Sequence, residues 1–301
     1  MTDPDPAPAD PEPTADTFEP WIDTPGVYRM PPDIYHRDPV IGGSLSSTSL
    51  RKMLPPDGCP AKARHYLDHP GQRSPSESME FGSAAHHLVL GETTKVIRMD
   101  VTNWRSSTDR KERDQHRAEG RIVVKAADWQ RVEEMAAAIQ TDEWATRLLS
   151  AGEPEVVIVW RDEPTGLMVR AMFDRLALDH QGRVLPFPDY KTTTDASPEG
   201  AGKSTDRFGY HQQIELYAAG IRAVFPERDP IGFLVFQEVE PPYIVQVYPL
   251  DPVARRIGQA RNRGALDIYA HCTETGQWPG YVPSPHDLSL PRWAEIREGM
   301  E

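Results

Sequence analysis

Residues 153–193 carry the strongest β-type pattern in the chain. Three runs rich in β-branched and aromatic residues, 153–160, 165–174 and 184–193, are separated by the turn-forming stretches Asp162-Glu-Pro-Thr-Gly166 and Asp179-His-Gln-Gly182. The pattern predicts a three-stranded meander. Upstream, apolar positions recur at helical spacing. Ser46 and Ser47 offer N-caps for a short helix, 48–54, which Pro55-Pro56 ends. Residues 61–69 read as a second helix. In 79–90 the stripe of Phe81, Ala84, Ala85, Leu88 and Val89 predicts a third. Residues 96–99 read as a short strand, and 127–149 as one or two amphipathic helices with Trp129, Val132, Met135 and Ile139 on one stripe.

Downstream of the meander the pattern predicts a polar loop over 192–203 and one helix over 206–225. A strand pair over 231–239 and 243–248 follows, then a helix capped by Asp251 and running to Cys272. Residues 21–38 look like an irregular lead-in with Trp21, Val27, Tyr28 and Tyr35 on the surface. Residues 278–293 look like loop. The order of helices, βββ, α, ββ and α assigns an α/β (α+β) fold: a mixed central sheet flanked by helices, with an N-terminal helical elaboration. The expected division is a tail over 1–20, a helical part over 21–150, a core over 151–275 and a C-terminal tail over 276–301. Residues 21–295 would form one compact unit.

Composition narrows the picture. At 301 residues the chain can bury one sizeable core. Residues 1–20 are a Pro/Asp/Glu/Ala tract with almost nothing apolar to bury, and they read as an extended, disordered tail. No apolar run is long enough to span a bilayer, and no basic-then-apolar leader opens the chain, so a cytoplasmic setting is expected. Two cysteines, Cys59 and Cys272, are too few for an all-cysteine iron–sulfur cluster. The net charge of −13 argues against indiscriminate nucleic-acid binding, so any DNA contact must come from local basic stretches. The most basic stretch is 105–125, with Arg105, Arg110, Lys111 and Arg113 among seven cations interspersed with acids. It reads equally as a solvated helix laced with i,i+4 pairs or as a DNA-tracking arm.

The chemistry concentrates on the meander. Asp189 and Lys191 are two apart, so on a strand both side chains leave one face. A hairpin would bring the Asp174 carboxylate beside Asp189. Two carboxylates and an ammonium at a sheet end suit a hard divalent cation and the water it activates. A solvated cross-strand ion pair is the plainer explanation for these three residues taken alone.

The surrounding motifs favour the first alternative. Leu45-Ser-Ser-Thr-Ser-Leu50, Cys59-Pro-Ala61, Phe81-Gly-Ser-Ala-Ala-His86, Asp174, Asp189-Tyr-Lys191-Thr-Thr, Gly209-Tyr-His-Gln-Gln213-Ile-Glu-Leu-Tyr217, Pro241-Pro-Tyr243 and Trp278-Pro-Gly-Tyr281 follow one another in order. In this the chain resembles the RecE-like (exodeoxyribonuclease VIII) branch of the PD-(D/E)XK nuclease superfamily, found mostly in phages and prophages, over roughly residues 44–294. The resemblance implies the superfamily core, with Asp174 and Asp189 as metal-binding carboxylates for one or two Mg2+ or Mn2+ ions. It implies that Lys191 acts on the attacking water and that His86, not His87, completes the metal site. It also implies that Gln213 and Tyr217 on one helical face hold phosphate or the lysine. Glu155 stands where related exonucleases carry an accessory carboxylate. Thr192 and Thr193 could donate hydroxyls to DNA backbone. The implied activity is degradation of one strand of linear duplex from its 5′ end, leaving a 3′ strand for an annealing-type recombinase, with a ring-shaped homo-oligomer known in the family.

Two departures stand out. Phe173, not proline, precedes the first acid, and Pro186 and Pro188 lie directly before Asp189, where proline removes ladder donors. Being two apart, both missing N–H groups would face the same neighbour. The alternatives to an exonuclease are a nuclease of the same fold with an endonucleolytic or repair task, and a catalytically silent DNA-end-binding module.

Overall fold

In a computed structural model describing residues 18–69, 76–91, 93–179, 182–225, 229–281, 285 and 287–299, the chain enters through a strand and not an irregular lead-in. This strand, β1 (Gly26–Arg29), is followed by α1 (Pro32–His36), α2 (Ser47–Lys52), α3 (Pro60–Asp68) and α4 (Glu77–Val89). Then come β2 (Val96–Met99), α5 (Ser107–Ala118), β3 (Ile122–Lys125), α6 (Ala126–Ile139) and α7 (Glu143–Ser150). The three runs of the expected meander are β4 (Glu153–Arg161), β5 (Met168–Leu176) and β6 (Phe187–Thr193). They lead into α8 (Pro198–Phe208), α9 (Tyr210–Val224), β7 (Gly232–Glu238), β8 (Val245–Pro249), α10 (Pro252–Thr275) and α11 (Arg292–Arg297). The expected tail lies almost wholly outside the described residues.

The α+β class holds, but the strands divide differently from the expected single sheet. One sheet has the order β1-β4-β5, a second β6-β7-β8, and β2-β3 is a separate parallel pair. In the second sheet β6 and β7 are parallel, joined by the crossover through α8 and α9, and β8 is antiparallel to β7. The prolines explain the division. Phe187 donates its N–H to Ile231 on the β7 side, so the alternate positions 186, 188 and 190 face β5. Two of those three are prolines without a donor, and the third, the Tyr190 N–H, goes to the Asp174 side chain at 2.6 Å. The ladder towards β7 survives, as the spacing of the prolines implied.

The lead-in forms a strand because β4 is apolar on both faces. Val156, Ile158 and Trp160 point into the main core with Phe173, Phe187, Tyr217, Ile221, Leu234 and Phe236. Val157 and Val159 point the other way, where Ile22, Met30, Tyr35 and Val40 cover them. β1 therefore pairs along β4, with Gly26 opposite Val159, and Tyr35 is buried while Trp21 stays exposed. A further cluster joins Ala84, Ala85, Val132, Met135, Leu148 and Leu149 to Tyr190, Val235 and Val245, so the second sheet is covered on both faces.

Two other expectations change. Ile122–Lys125, expected within a basic helix, is a strand parallel to β2; four residues are too few to display a period. The helix expected over 206–225 is two helices broken at Gly209, whose φ of 67° caps α8 and starts α9. Its upstream half lies in the expected polar loop. Ser197 accepts from the Gly200 N–H at 3.1 Å and Pro198 follows it, an N-terminal signal that the charged, glycine-containing sequence obscured.

The long α10 crosses α9 at Gly258, where an added Cβ would lie 2.3 Å from the His211 carbonyl oxygen. Alanine is favoured over glycine in a helix by about 1 kcal/mol. A clash against backbone cannot relax through a rotamer, so Gly258→Ala should lower stability by about 1–3 kcal/mol. Urea denaturation followed by far-ultraviolet circular dichroism measures it, and an unchanged midpoint would mean that α10 moves freely off α9.

Candidate active site

The seam between β5 and β6 gathers ionisable side chains from three directions. From β5, Asp174 turns inward: one carboxylate oxygen accepts the Tyr190 N–H, and the other lies 3.0 Å from His86 Nε2 on α4. From β6, Asp189 and Lys191 leave one face, and Lys191 Nζ is 2.8 Å from Asp189 Oδ2. From α9, Gln213 Nε2 donates to Asp189 Oδ1 at 3.0 Å and also lies 3.1 Å from the Tyr217 hydroxyl. Local sequence sets each direction. Phe187, Asp189 and Lys191 share the face towards α9, while Tyr190 and Thr192 face α4. There Gly82 lets the helix approach: a Cβ on it would lie 3.2 Å from Thr192 Oγ1.

Burial and charge oppose one another here. Asp189 is 1% exposed, and burial, reinforced by Asp174, pushes its carboxyl up to about 6 despite the nearby Lys191. Burial acts in the same sense on Asp174, but His86 and Lys191 outweigh it and hold that carboxyl below its ordinary value. For His86, burial disfavours the charged ring, yet Asp174 raises its pKa overall. Lys191 follows the same logic: burial works against the ammonium, and Asp189 and Asp174 more than restore it. Its Nζ also sits 4.8 Å from the centre of the Tyr210 ring.

Glu155 occupies a distorted point of β4. The register runs Pro154 to Arg175 and then Val156 to Phe173, so Glu155 and Asp174 drop out of the ladder together at facing positions. Glu155 has φ 51°, a left-handed conformation that costs a residue with a side chain on the order of 1–3 kcal/mol. Its Oε2 is 3.7 Å from Lys95 Nζ. Strain beside a cluster of acids is a functional signal that the linear sequence does not carry.

Of the residues singled out in the sequence, His86, Asp174, Asp189, Lys191, Gln213 and Tyr217 meet in this seam, with Glu155 opposite Asp174. Gln213 holds the Asp189 carboxylate and not the lysine. Tyr217 is 6% exposed and packs 4.8 Å from the Phe173 ring, so it supports Gln213 and the core together. His87 is buried beside His86. Thr192 and Thr193 lie at the exit of β6, where the Thr193 hydroxyl is engaged with Asp195 in the following turn. Arg105, Arg110 and Lys111 are exposed on and before α5. Arg113 is half-buried, paired with Asp114 at 2.8 Å and set over the Trp104 ring. The same helix is anchored to α4 by Arg117, which grips Glu80 with two bonds of 2.6 Å. In α5 the solvated-helix features are thus well developed.

Two carboxylates and an imidazole form a donor set chemically suited to a divalent cation, with the imidazole favouring Mn2+ over Mg2+. Asp189 Oδ2 is buried and has no hydrogen-bond donor of good geometry, only the charge of Lys191, which leaves it able to take a cation. Among the described residues, however, no three His, Cys, Asp or Glu side chains are gathered closely enough to grip an ion as they stand. His86 and Asp174 are engaged with each other, and Asp189 with Lys191 and Gln213.

Comparison with known proteins identifies the family and the fold. Residues 46–284 match the model of a family described as a PDDEXK-like domain of unknown function, DUF3799. A crystal structure of a protein from Eubacterium rectale, described as a candidate exonuclease, aligns with a TM-score of 0.58 at 12% identity, covering 82% of this chain and 90% of that one. A second crystal structure, of SSO0001, covers 66% of this chain and 87% of that one at 15% identity, with a TM-score of only 0.28. No curated protein matches.

Gln213→Leu should remove a hydrogen bond to a buried carboxylate at nearly constant volume. About 1.5–3 kcal/mol of stability should be lost at neutral pH. Denaturant midpoints of the two proteins measure this, and equal midpoints would show that Asp189 is held by Lys191 alone.

Proposed function

Because the chain belongs to the PDDEXK-like family DUF3799, and with it to the PD-(D/E)XK nuclease superfamily, we propose that it is a divalent-metal-dependent deoxyribonuclease. We propose further that it digests one strand of linear duplex DNA from the 5′ end. The observation that carries this is the convergence of Asp174, Asp189, Lys191 and His86 at the β5–β6 seam. The polarity comes from the resemblance to RecE-like exonucleases alone. A 3′ single strand would then be the product, a fitting substrate for an annealing-type recombinase.

Asp174, Asp189 and His86 are the residues that would hold Mg2+ or Mn2+, and a bound ion would activate water and neutralise charge on the phosphoryl oxygens. The chain's own groups divide the remaining work. Lys191, beside Asp189 at 2.8 Å, would orient or help deprotonate the attacking water and stabilise developing negative charge. Gln213 keeps the Asp189 carboxylate aimed, with Tyr217 fixing the amide. Glu155, set opposite Asp174 by its distorted backbone, supplies a further carboxylate to the water or the ion.

Lys191→Ala should lower cleavage by about 10²–10³-fold or more while metal binding persists. Asp189→Ala should abolish both, as read by calorimetric Mn2+ titration and a plasmid-fragment assay. Full activity in EDTA would end the metal-dependent reading.

Because the Asp189 carboxyl is pushed up to about 6, its proton competes with the cation below that pH. Activity should therefore fall on the acid side of about pH 6, and the falling limb should move lower as Mn2+ is raised. A limb that ignores metal concentration would contradict the assignment.

Polarity is tested on linear duplex labelled at one end or the other. Early release of the 5′ label with closed circles intact is expected. Early loss of the 3′ label, or cutting of closed circles, would favour another nuclease task, and binding to ends without cleavage would favour a silent module.

A further inference from the structure

Beside the seam, a groove of 580 Å³ opens where β6 leaves the sheet, a size within the range of about 300–1,000 Å³ found for ligand sites. Thr192, Thr193 and Thr194 line it along β6, α4 and α6 contribute one wall, and α8 with the head of α9 contributes the other. It adjoins the candidate catalytic residues directly: Tyr210, in its lining, is the ring over which the Lys191 ammonium lies at 4.8 Å. Apart from Lys125 at its far end, its cations lie outside the basic stretch that the sequence singled out.

Its chemistry is unlike that of the chain as a whole. In a protein of net charge −13, the groove is lined by four cations and two carboxylates; Lys125 pairs with Glu77 at 2.7 Å and Arg131 with Glu240 at 2.7 Å, so Lys203 and Arg207 on α8 are the cations it offers to a ligand. Flat aromatic surfaces are interleaved with them. Phe208 is 42% exposed and lies 5.6 Å from the Tyr210 ring at an interplanar angle of 32°. Arg207 reaches over Phe208 at 5.4 Å, and Arg131 over Phe81 at 4.7 Å. The Lys203 pair with Glu199 is a mostly exposed i,i+4 contact, the weakest class of ion pair, so it yields easily to a phosphate.

We infer that this groove binds a short stretch of single-stranded nucleic acid, Lys203 and Arg207 taking backbone phosphates while a base stacks on Phe208. The inference rests on the nuclease reading for its biological sense, but the groove's chemistry argues for it separately. Alternating cations and aromatic faces are what a single strand requires, since phosphates need charge and unstacked bases need a flat partner. A duplex offers no free base face, and a groove of this volume cannot enclose one. The three threonines add hydroxyls along the same path, suited to phosphate oxygens.

The test is fluorescence anisotropy with a 3′-labelled dT12 and the full chain in EDTA, where cleavage cannot interfere. Lys203→Ala/Arg207→Ala should weaken binding roughly tenfold. It should also flatten the slope of log affinity against log salt by about 1.4, because each phosphate that a single strand no longer has neutralised removes about 0.7. Phe208→Ala should weaken binding about tenfold with an unchanged salt slope, because stacking releases no counterions. Circular dichroism of each variant guards against misfolding. Wild-type affinity in these variants would overturn the inference. So would a larger loss of dT12 affinity from Arg110→Ala/Lys111→Ala, which would place the strand on α5. The nuclease reading fails by a different result: wild-type protein that hydrolyses no phosphodiester with Mn2+. In that case groove-dependent binding of dT12 would still stand.

Discussion

The hydrogen bond from the Tyr190 backbone to the Asp174 carboxylate is the contact on which the arrangement of the molecule turns. Two prolines remove donors from the β5 side at 186 and 188, and the next donor on that side, the Tyr190 N–H, goes to a side chain and not to a neighbouring carbonyl. The acid is thereby fixed between β5 and β6 with its second oxygen towards His86. Fold and site share this single point. The β4 distortion at Glu155 lies directly across from it, so the ladder opens on both sides of Asp174 at once.

The electrostatics follow from gathering four ionisable groups in a partly enclosed seam. Asp174 with His86 and Asp189 with Lys191 are two pairs, each with a carboxylate that would otherwise be costly to bury. They are not equivalent. The carboxyl of Asp174 is lowered, with a backbone N–H and His86 as partners, whereas that of Asp189 is raised, being more deeply buried and short of donors. Under the proposed reading, the Asp189 oxygen that lacks a hydrogen bond of good geometry is the one a cation would meet first.

Much of this was legible in the sequence. Two-residue spacing placed Asp189 and Lys191 on one face, helical spacing separated His86 from His87, and the i,i+4 pair Gln213 and Tyr217 emerged on the α9 face that meets Asp189. Other features were not legible, for identifiable reasons. β1 and β3 are four residues each, too short to show a period, and β1 exists because β4 needs covering on its second face. The break at Gly209 was hidden by continuous helix-compatible sequence on either side. The groove cations come from β3, α6 and α8, far apart in the chain, and apart from Lys125 none belongs to the stretch that stood out. The dense basic stretch spends much of its charge on neighbours within α5 and on Glu80 of α4, as Lys125 and Arg131 of the groove do on Glu77 and Glu240. Several motifs that carried the family resemblance prove to be scaffold. Ser46 and Ser49 cap each other, Tyr243 bonds Glu134 at 2.6 Å, and Trp278 packs edge-on against Tyr269 while the Pro279 carbonyl ties down Ala61.

The double duty of Asp174 bears on how such a chain can evolve. In an enzyme whose reactive acid merely projects into solvent, a lineage that no longer needs cleavage can drift at that position without penalty. Here the same substitution leaves the Tyr190 N–H without its partner between two sheets and frees a half-buried imidazole from its counter-charge. Selection for foldability alone would keep the acid in place after selection for chemistry had ceased. Descendants that lost the activity would be expected to carry their inactivating changes elsewhere, at surface-facing positions of the groove, while the inherited seam stayed intact.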